Sequence, residues 1–169
     1  MKTRDVLLIG MMSAILITVQ VMLSFIPNVE LVSVLLIAYT LTFGYKTLFI
    51  IYIFAALEGF IYGFSIWTIN YLYIWTILFF IANLFKRHRS PLIWAAISGF
   101  FGLGFGALSA LTTLVLSGPT AAVAYWIAGI PFDLVHGVSN FIVALVLIRP
   151  LHYLLERLYR RTEDHPPIA

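Results

Sequence analysis

The stretch IWTINYLYIWTILFFIANLFKRHRSP, residues 66–91, decides the fold. Ile66 to Phe85 carry no charged side chain. A helix over Ile66 to Phe85 rises about 30 Å, roughly the thickness of a bilayer's hydrocarbon core. Lys86-Arg87-His88-Arg89-Ser90-Pro91 then follows, the only strongly polar stretch inside the chain. An apolar run closed by a basic cluster reads as a membrane span stopped at its cytoplasmic end.

Working outward, five further segments have this character. They run from about Val6 to Ile26, Val29 to Phe43, Thr47 to Tyr62, Leu92 to Leu116 and Ala122 to Ile148. Pro27-Asn28, Gly44-Tyr45-Lys46, Gly63-Phe64-Ser65 and Ser117-Gly118-Pro119 punctuate them. The second and third spans are short, and a re-entrant course for one of them is the alternative. The expected fold is an all-α membrane protein, a bundle of six transmembrane helices. Residues 1–150 form the membrane domain, and residues 151–169 form a basic cytoplasmic tail with a short interfacial helix. Thr162 to Ala169 are expected to be disordered. Lys2 and Arg4 precede the first apolar run, as in a signal peptide. That run is long and lacks a small-x-small cleavage site before Pro27, so a retained span is expected.

Composition agrees. The chain is 62% hydrophobic and 10% charged, whereas soluble domains carry about 25% charged residues. The ten Lys and Arg residues sit at segment ends, not in a stripe, which argues against nucleic acid. The absence of cysteine excludes disulfides, thiolate metal sites and cysteine catalysis. With the N-terminus inside, all ten basic residues fall on the inner side, from Lys2, Arg4 and Lys46 to Arg149, Arg157, Arg160 and Arg161. The loops near Pro27, Gly63 and Gly118 receive none. Both ends are therefore expected in the cytoplasm.

Three acids interrupt the apolar pattern: Glu30, Glu58 and Asp133. A charge at the bilayer centre costs about 2.5–3.5 kcal/mol on insertion scales, so such groups face a partner or a wet cavity. All three fall on the outer halves of their spans, where no Lys or Arg is available. A polar cavity open to the outside is the simplest arrangement. Asp133, His136, Gly137, Asn140 and Ala144 share one helical face. Two readings stay open for that face: an interhelical hydrogen-bond network and a ligand-contacting stripe. Asn70 and Tyr71, with Trp67, Trp75, Tyr125 and Trp126, suggest an aromatic-walled pocket for an organic molecule. The spacing of Asp133 and His136 does not make a metal site. Gly10, Ala14 and Thr18, with Ser13, form one small-residue patch. Ser98, Gly102, Gly106 and Ala110 form another. The second reads as internal packing. For the first, internal packing and partner docking are both open.

The chain resembles the substrate-binding S-components of energy-coupling factor (ECF) vitamin transporters. The resemblance covers nearly its whole length. The stretches that carry it are Asn28-Val29-Glu30-Leu31-Val32-Ser33, Leu57 to Gly63, Asn70 to Trp75, and Gly129-Ile130-Pro131-Phe132-Asp133-Leu134-Val135-His136-Gly137. In that family an alanine-xxx-alanine element on the first helix contacts a transmembrane coupling protein. Its match here is Gly10 and Ala14, with glycine replacing the first alanine. The resemblance implies a binding site near the outer surface, built from Asn28, Glu30, Glu58, Asn70, Tyr71, Asp133, His136 and Asn140. It also implies one coupling protein and two ATPase subunits as partners. The chain has no Gly-rich nucleotide loop of its own, so it is expected to be a transporter subunit, not an enzyme. A water-soluble vitamin or cofactor precursor is the expected ligand, cobalamin-like first and thiamine-like second. No cofactor or metal is expected, and the location is the bacterial cytoplasmic membrane. A self-sufficient proton-coupled transporter using Glu58 or Asp133 is the alternative. A membrane enzyme using Asp133 and His136 ranks third.

Overall fold

The computed structural model describes residues 2–164, with side chains through Arg161. Every regular element among them is helical: α1 (Thr3–Leu23), α2 (Val32–Phe43), α3 (Lys46–Tyr62), α4 (Ile66–Phe85), α5 (Pro91–Leu103), α6 (Phe105–Ser117) and α7 (Pro119–Asp164). Only Gly104 separates α5 from α6, so these helices make six rods running alternately up and down. Four rods are long and apolar enough to cross a membrane: Thr3–Leu23, Ile66–Phe85, Pro91–Ser117 and Pro119–Arg161. The outward faces are apolar. Leu7, Phe60, Leu84, Phe100 and Val115 are all strongly exposed, a surface suited to lipid rather than water.

The alternation of the rods gathers the basic residues at one end. Lys2 and Arg4 start α1, Lys46 starts α3, and Lys86, Arg87 and Arg89 link α4 to α5. Arg149, Arg157, Arg160 and Arg161 lie along the last turns of α7. Contacts tie this end together. Lys46 Nζ donates to Asp5 Oδ1 at 2.7 Å and to the Tyr159 hydroxyl at 2.9 Å. Tyr159 also packs edge-on to Phe43, with ring centroids 5.3 Å apart.

The centre of the bundle is α2. Its 12 residues carry no charge, and nearly all of them are buried. A helix apolar all round belongs inside, and α1, α3, α4, α5 and α7 all pack against it. Its brevity follows from that position: enclosed by protein, it need not match the bilayer. It rises about 18 Å from the basic end and stops. The level above its N-terminus is left to a cavity.

Several boundaries differ from the sequence reading: α1 ends at Leu23 rather than near Ile26, and α2 begins at Val32 rather than near Val29. The expected span from Leu92 to Leu116 is present as one rod, Pro91–Ser117, with its helix interrupted at Gly104. The helix expected to end at Ile148 instead runs unbroken through Pro150 to Asp164. Proline costs a helix the hydrogen bond to the carbonyl four residues back, but α7 tolerates this at Pro131 and Pro150. Beyond Pro150 the anchoring of Tyr159 to α2 and α3 gives the extension a packing partner. The tail is thus a continuation of α7 rather than a separate interfacial helix. Residues 165–169, the larger part of the end expected to be disordered, lie outside the described residues.

Candidate functional site

The cavity above α2 has a volume of about 750 Å³. Its rim is the loop residues Pro27, Asn28, Gly63 and Ser65, and its floor reaches Trp75 and Phe105. It opens at the end opposite the basic residues, and no Lys or Arg lines it. Glu30, Glu58 and Asp133 all line it, delivered by the α1–α2 loop, α3 and α7.

Each acid is held differently. Glu30 precedes α2, whose first helical residue is Val32, rather than starting the helix as the sequence suggested. Its Oε2 accepts the Ser33 backbone N–H at 2.8 Å. It thereby caps α2 in place of Leu31, which has no side-chain oxygen. Its Oε1 lies 3.4 Å from His136 Nε2. Burial works to raise the Glu30 carboxyl, but the contacts with His136 and Ser33 outweigh it and hold this loop residue below its ordinary value. Asp133 Oδ1 accepts the Gly106 backbone N–H at 2.9 Å. Gly106 is the second residue of α6, so the break at Gly104 presents a helix N-terminus to Asp133. A Cβ on Gly106 would overlap the Asp133 carboxylate, which would have to move off its backbone donor. The second oxygen of Asp133 is buried without a partner, and so is Glu58 Oε1.

Aromatic rings form the floor in a continuous arc from α3 to α7. Phe54 stacks on Tyr71 at 6.0 Å between centroids, and Tyr71 meets Trp75 edge-on at 5.7 Å. Trp75 lies 5.7 Å from Phe105, and Phe105 lies 5.1 Å from the His136 ring. Tyr62, Trp67, Tyr125 and Phe132 complete the aromatic lining.

Of the residues expected at the site, Asn28, Glu30, Glu58, Tyr71, Asp133 and His136 line the cavity. The structure places Asn70 and Asn140 off its wall, in bonds between helices. The Asn70 carbonyl oxygen accepts from the Thr112 hydroxyl and, at 3.2 Å, from the Tyr73 hydroxyl. Asn140 Nδ2 donates to Ser33 Oγ at 3.1 Å. The α7 face thus divides, with Asp133 and His136 in the cavity wall and Gly137, Asn140 and Ala144 outside it, in packing between helices. Trp75 and Ser109 also belong to the wall, and each has a buried polar atom without a partner. The sequence reads Trp75 as part of an aromatic pocket wall, whereas Ser109 gives no signal among the small residues of its segment.

The two small-residue patches separate. Ser98, Gly102, Gly106 and Ala110 are buried. Gly99, Gly102 and Gly137 bring the α5 and α7 backbones together, since a Cβ on Gly102 would lie 2.9 Å from the His136 carbonyl group. On α1, Gly10, Ala14 and Thr18 face outward, with open space beside Gly10. Ser13 points inward to the Ile9 and Ile50 carbonyls, so it leaves that patch. Among the described residues, no group of three His, Asp or Glu side chains is arranged to hold a metal ion. Comparisons of the chain with protein-family models, curated proteins and solved structures found no match.

Proposed function

We propose that this chain is the solute-capturing membrane subunit of an ATP-driven importer of the ECF type. It crosses the bacterial cytoplasmic membrane six times with both ends inside. It takes a water-soluble vitamin or cofactor precursor from the outside into the cavity above α2. The observation that carries this reading is the cavity itself. It is a chamber of about 750 Å³ at the end free of basic residues, lined by three acids and an aromatic arc. A volume in the range of about 300–1,000 Å³ suits a small organic ligand. Positive charges concentrate on cytoplasmic faces, so the basic end is assigned to the inside and the cavity mouth to the outside.

Import then requires partners. An exposed stripe of Gly10, Ala14 and Thr18 on α1 supports docking of a coupling protein, because small residues let helices approach closely in lipid. ATP hydrolysis belongs to two separate ATPase subunits. A thiamine-like solute fits within the chamber. A cobalamin-like one would fill it and protrude at the mouth.

The test replaces Gly10 and Ala14 with leucine. Tagged wild-type chain purified from its own membranes is expected to bring down a membrane protein and two proteins with nucleotide-binding Gly-rich loops. It is also expected to support ATP-dependent uptake of labelled thiamine or cobalamin in proteoliposomes containing them. The double variant is expected to fold, retain ligand and lose both partners and uptake. Uptake by the lone chain without ATP would overturn the proposal. Joint loss of folding and binding in the double variant would return the stripe to internal packing.

A further inference from the structure

We infer that the cavity selects a ring-bearing organic cation, a protonated amine, amidine or quaternary nitrogen joined to an aromatic ring. This rests on reading the cavity as a solute site and names the class of solute.

The argument counts what the wall already satisfies. Among the described residues, seven buried side-chain polar atoms lack a partner, and four of them belong to cavity-lining residues: Glu58, Trp75, Ser109 and Asp133. Buried polar groups are normally hydrogen-bonded; these four atoms lie just behind the cavity surface, so a small turn of the Glu58 or Asp133 side chain would bring an unused oxygen to a ligand. Glu58 and Asp133 are each only 8% exposed. Glu30 is not equivalent to them, since Ser33 and His136 already occupy its two oxygens. Two carboxyl groups are thus left with unused acceptor oxygens in a chamber without Lys or Arg. His136, also in the wall, has its Nε2 turned to Glu30.

These two carboxyl groups, each with one unused oxygen, come from α3 and α7 and line the cavity with the aromatic arc of Tyr71, Trp75 and Phe105. A flat ring lies against such a floor, and a cation on that ring gains from the aromatic faces as well as from the acids. An anionic solute meets no counter-charge here and is repelled by the acids.

The experiment uses the full chain in lipid nanodiscs and a charge series on one ring system. The probes are N-methylquinolinium, quinolin-2-one and quinoline-2-carboxylate, read by calorimetry and by quenching of tryptophan fluorescence. The cation is expected to bind at least about tenfold more tightly than the neutral ring, with the anion weakest. Glu58→Gln and Asp133→Asn are each expected to lower cation affinity by about tenfold and the neutral ring's affinity by much less, so that the preference for the cation shrinks. Equal or tighter binding of the neutral or anionic probe overturns the inference, as does failure of every probe to bind. Should either variant fail to fold, the wild-type series alone decides. The importer reading fails separately: cation selectivity without captured ATPases removes that reading and keeps this one. Captured ATPases without cation selectivity do the reverse.

Discussion

Gly106 and Asp133 show how one residue's identity is set by another 27 positions away. Helix propensity alone predicts that Gly106→Ala stabilises α6 by about 1 kcal/mol. The contact predicts the opposite. The added Cβ would displace the Asp133 carboxylate from its backbone donor, and overpacking with loss of a buried hydrogen bond costs about 1–3 kcal/mol for each effect. Thermal unfolding in detergent should therefore show a lower midpoint for Gly106→Ala. A rise would mean that the carboxylate is not held there. Thr112→Val is expected to cost about 0.5–1.5 kcal/mol by removing one donor from Asn70, while leaving ligand affinity unchanged. Loss of affinity in that variant would put Asn70 back in the site. The sequence made Glu30, Glu58, Asp133 and His136 legible because charge in an apolar run is conspicuous. It could not separate Asn70 from them. Whether an amide serves a ligand or a neighbouring helix depends here on Thr112 of α6, which only the packed bundle brings to it.

At the scale of elements, α5 and α7 are joined through glycine. Gly102→Ala would press a methyl group on the His136 backbone, whereas Gly137→Ala would press mainly on the Leu103 side chain. Backbone yields less readily than a side chain, so the Gly102 variant should be the more destabilising, by about 1–3 kcal/mol. The same order of unfolding midpoints checks it. At the basic end, outside the apolar runs, α1 is tied to α3 by Asp5 and Lys46. The Lys46 ammonium and the Lys2 backbone N–H hold the Asp5 carboxyl below its usual 3.8. Asp5 and the Tyr159 hydroxyl hold Lys46 above its usual 10.5. For the depressed carboxyl, the stabilising contribution is complete above its ordinary value and disappears as pH falls through the lower folded value. For the raised ammonium it is complete below its ordinary value and is lost as pH rises through the higher one. Protection of the first turn of α1 from hydrogen exchange, corrected for intrinsic rates, should stay flat between these limits and fall in acid. Asp5→Asn should remove the acid-dependent change. The helix ends were less legible than the helices. Arg149-Pro150 reads as a stop, and only the seat of Tyr159 against Phe43 explains why α7 continues. The break at Gly104 was hidden because glycine also fits the small-residue seam.

The whole molecule is an apolar shell around a short central helix. Its all-helical character was legible because hydropathy and basic punctuation need no tertiary information. The enclosure of α2 was not, since a short uncharged run reads equally as a truncated span. The absence of native cysteine makes the proposed orientation directly testable. Thr120→Cys, at the cavity end, should react with an impermeant maleimide in intact cells. His88→Cys, at the basic end, should react only after permeabilisation. The reverse pattern would invert the protein and turn the cavity toward the cytoplasm. The most direct test of solute capture fills the chamber. Gly129 lines it, and a Cβ there meets open space, so Gly129→Trp should occupy the cavity without disturbing the helices. The measurement is a mass spectrum of small molecules released from wild-type and Gly129→Trp chains purified in parallel from native membranes. The account predicts one organic molecule in near-stoichiometric amount from the wild type and none from a variant of unchanged unfolding midpoint. Equal amounts from both, or none from either, would contradict it.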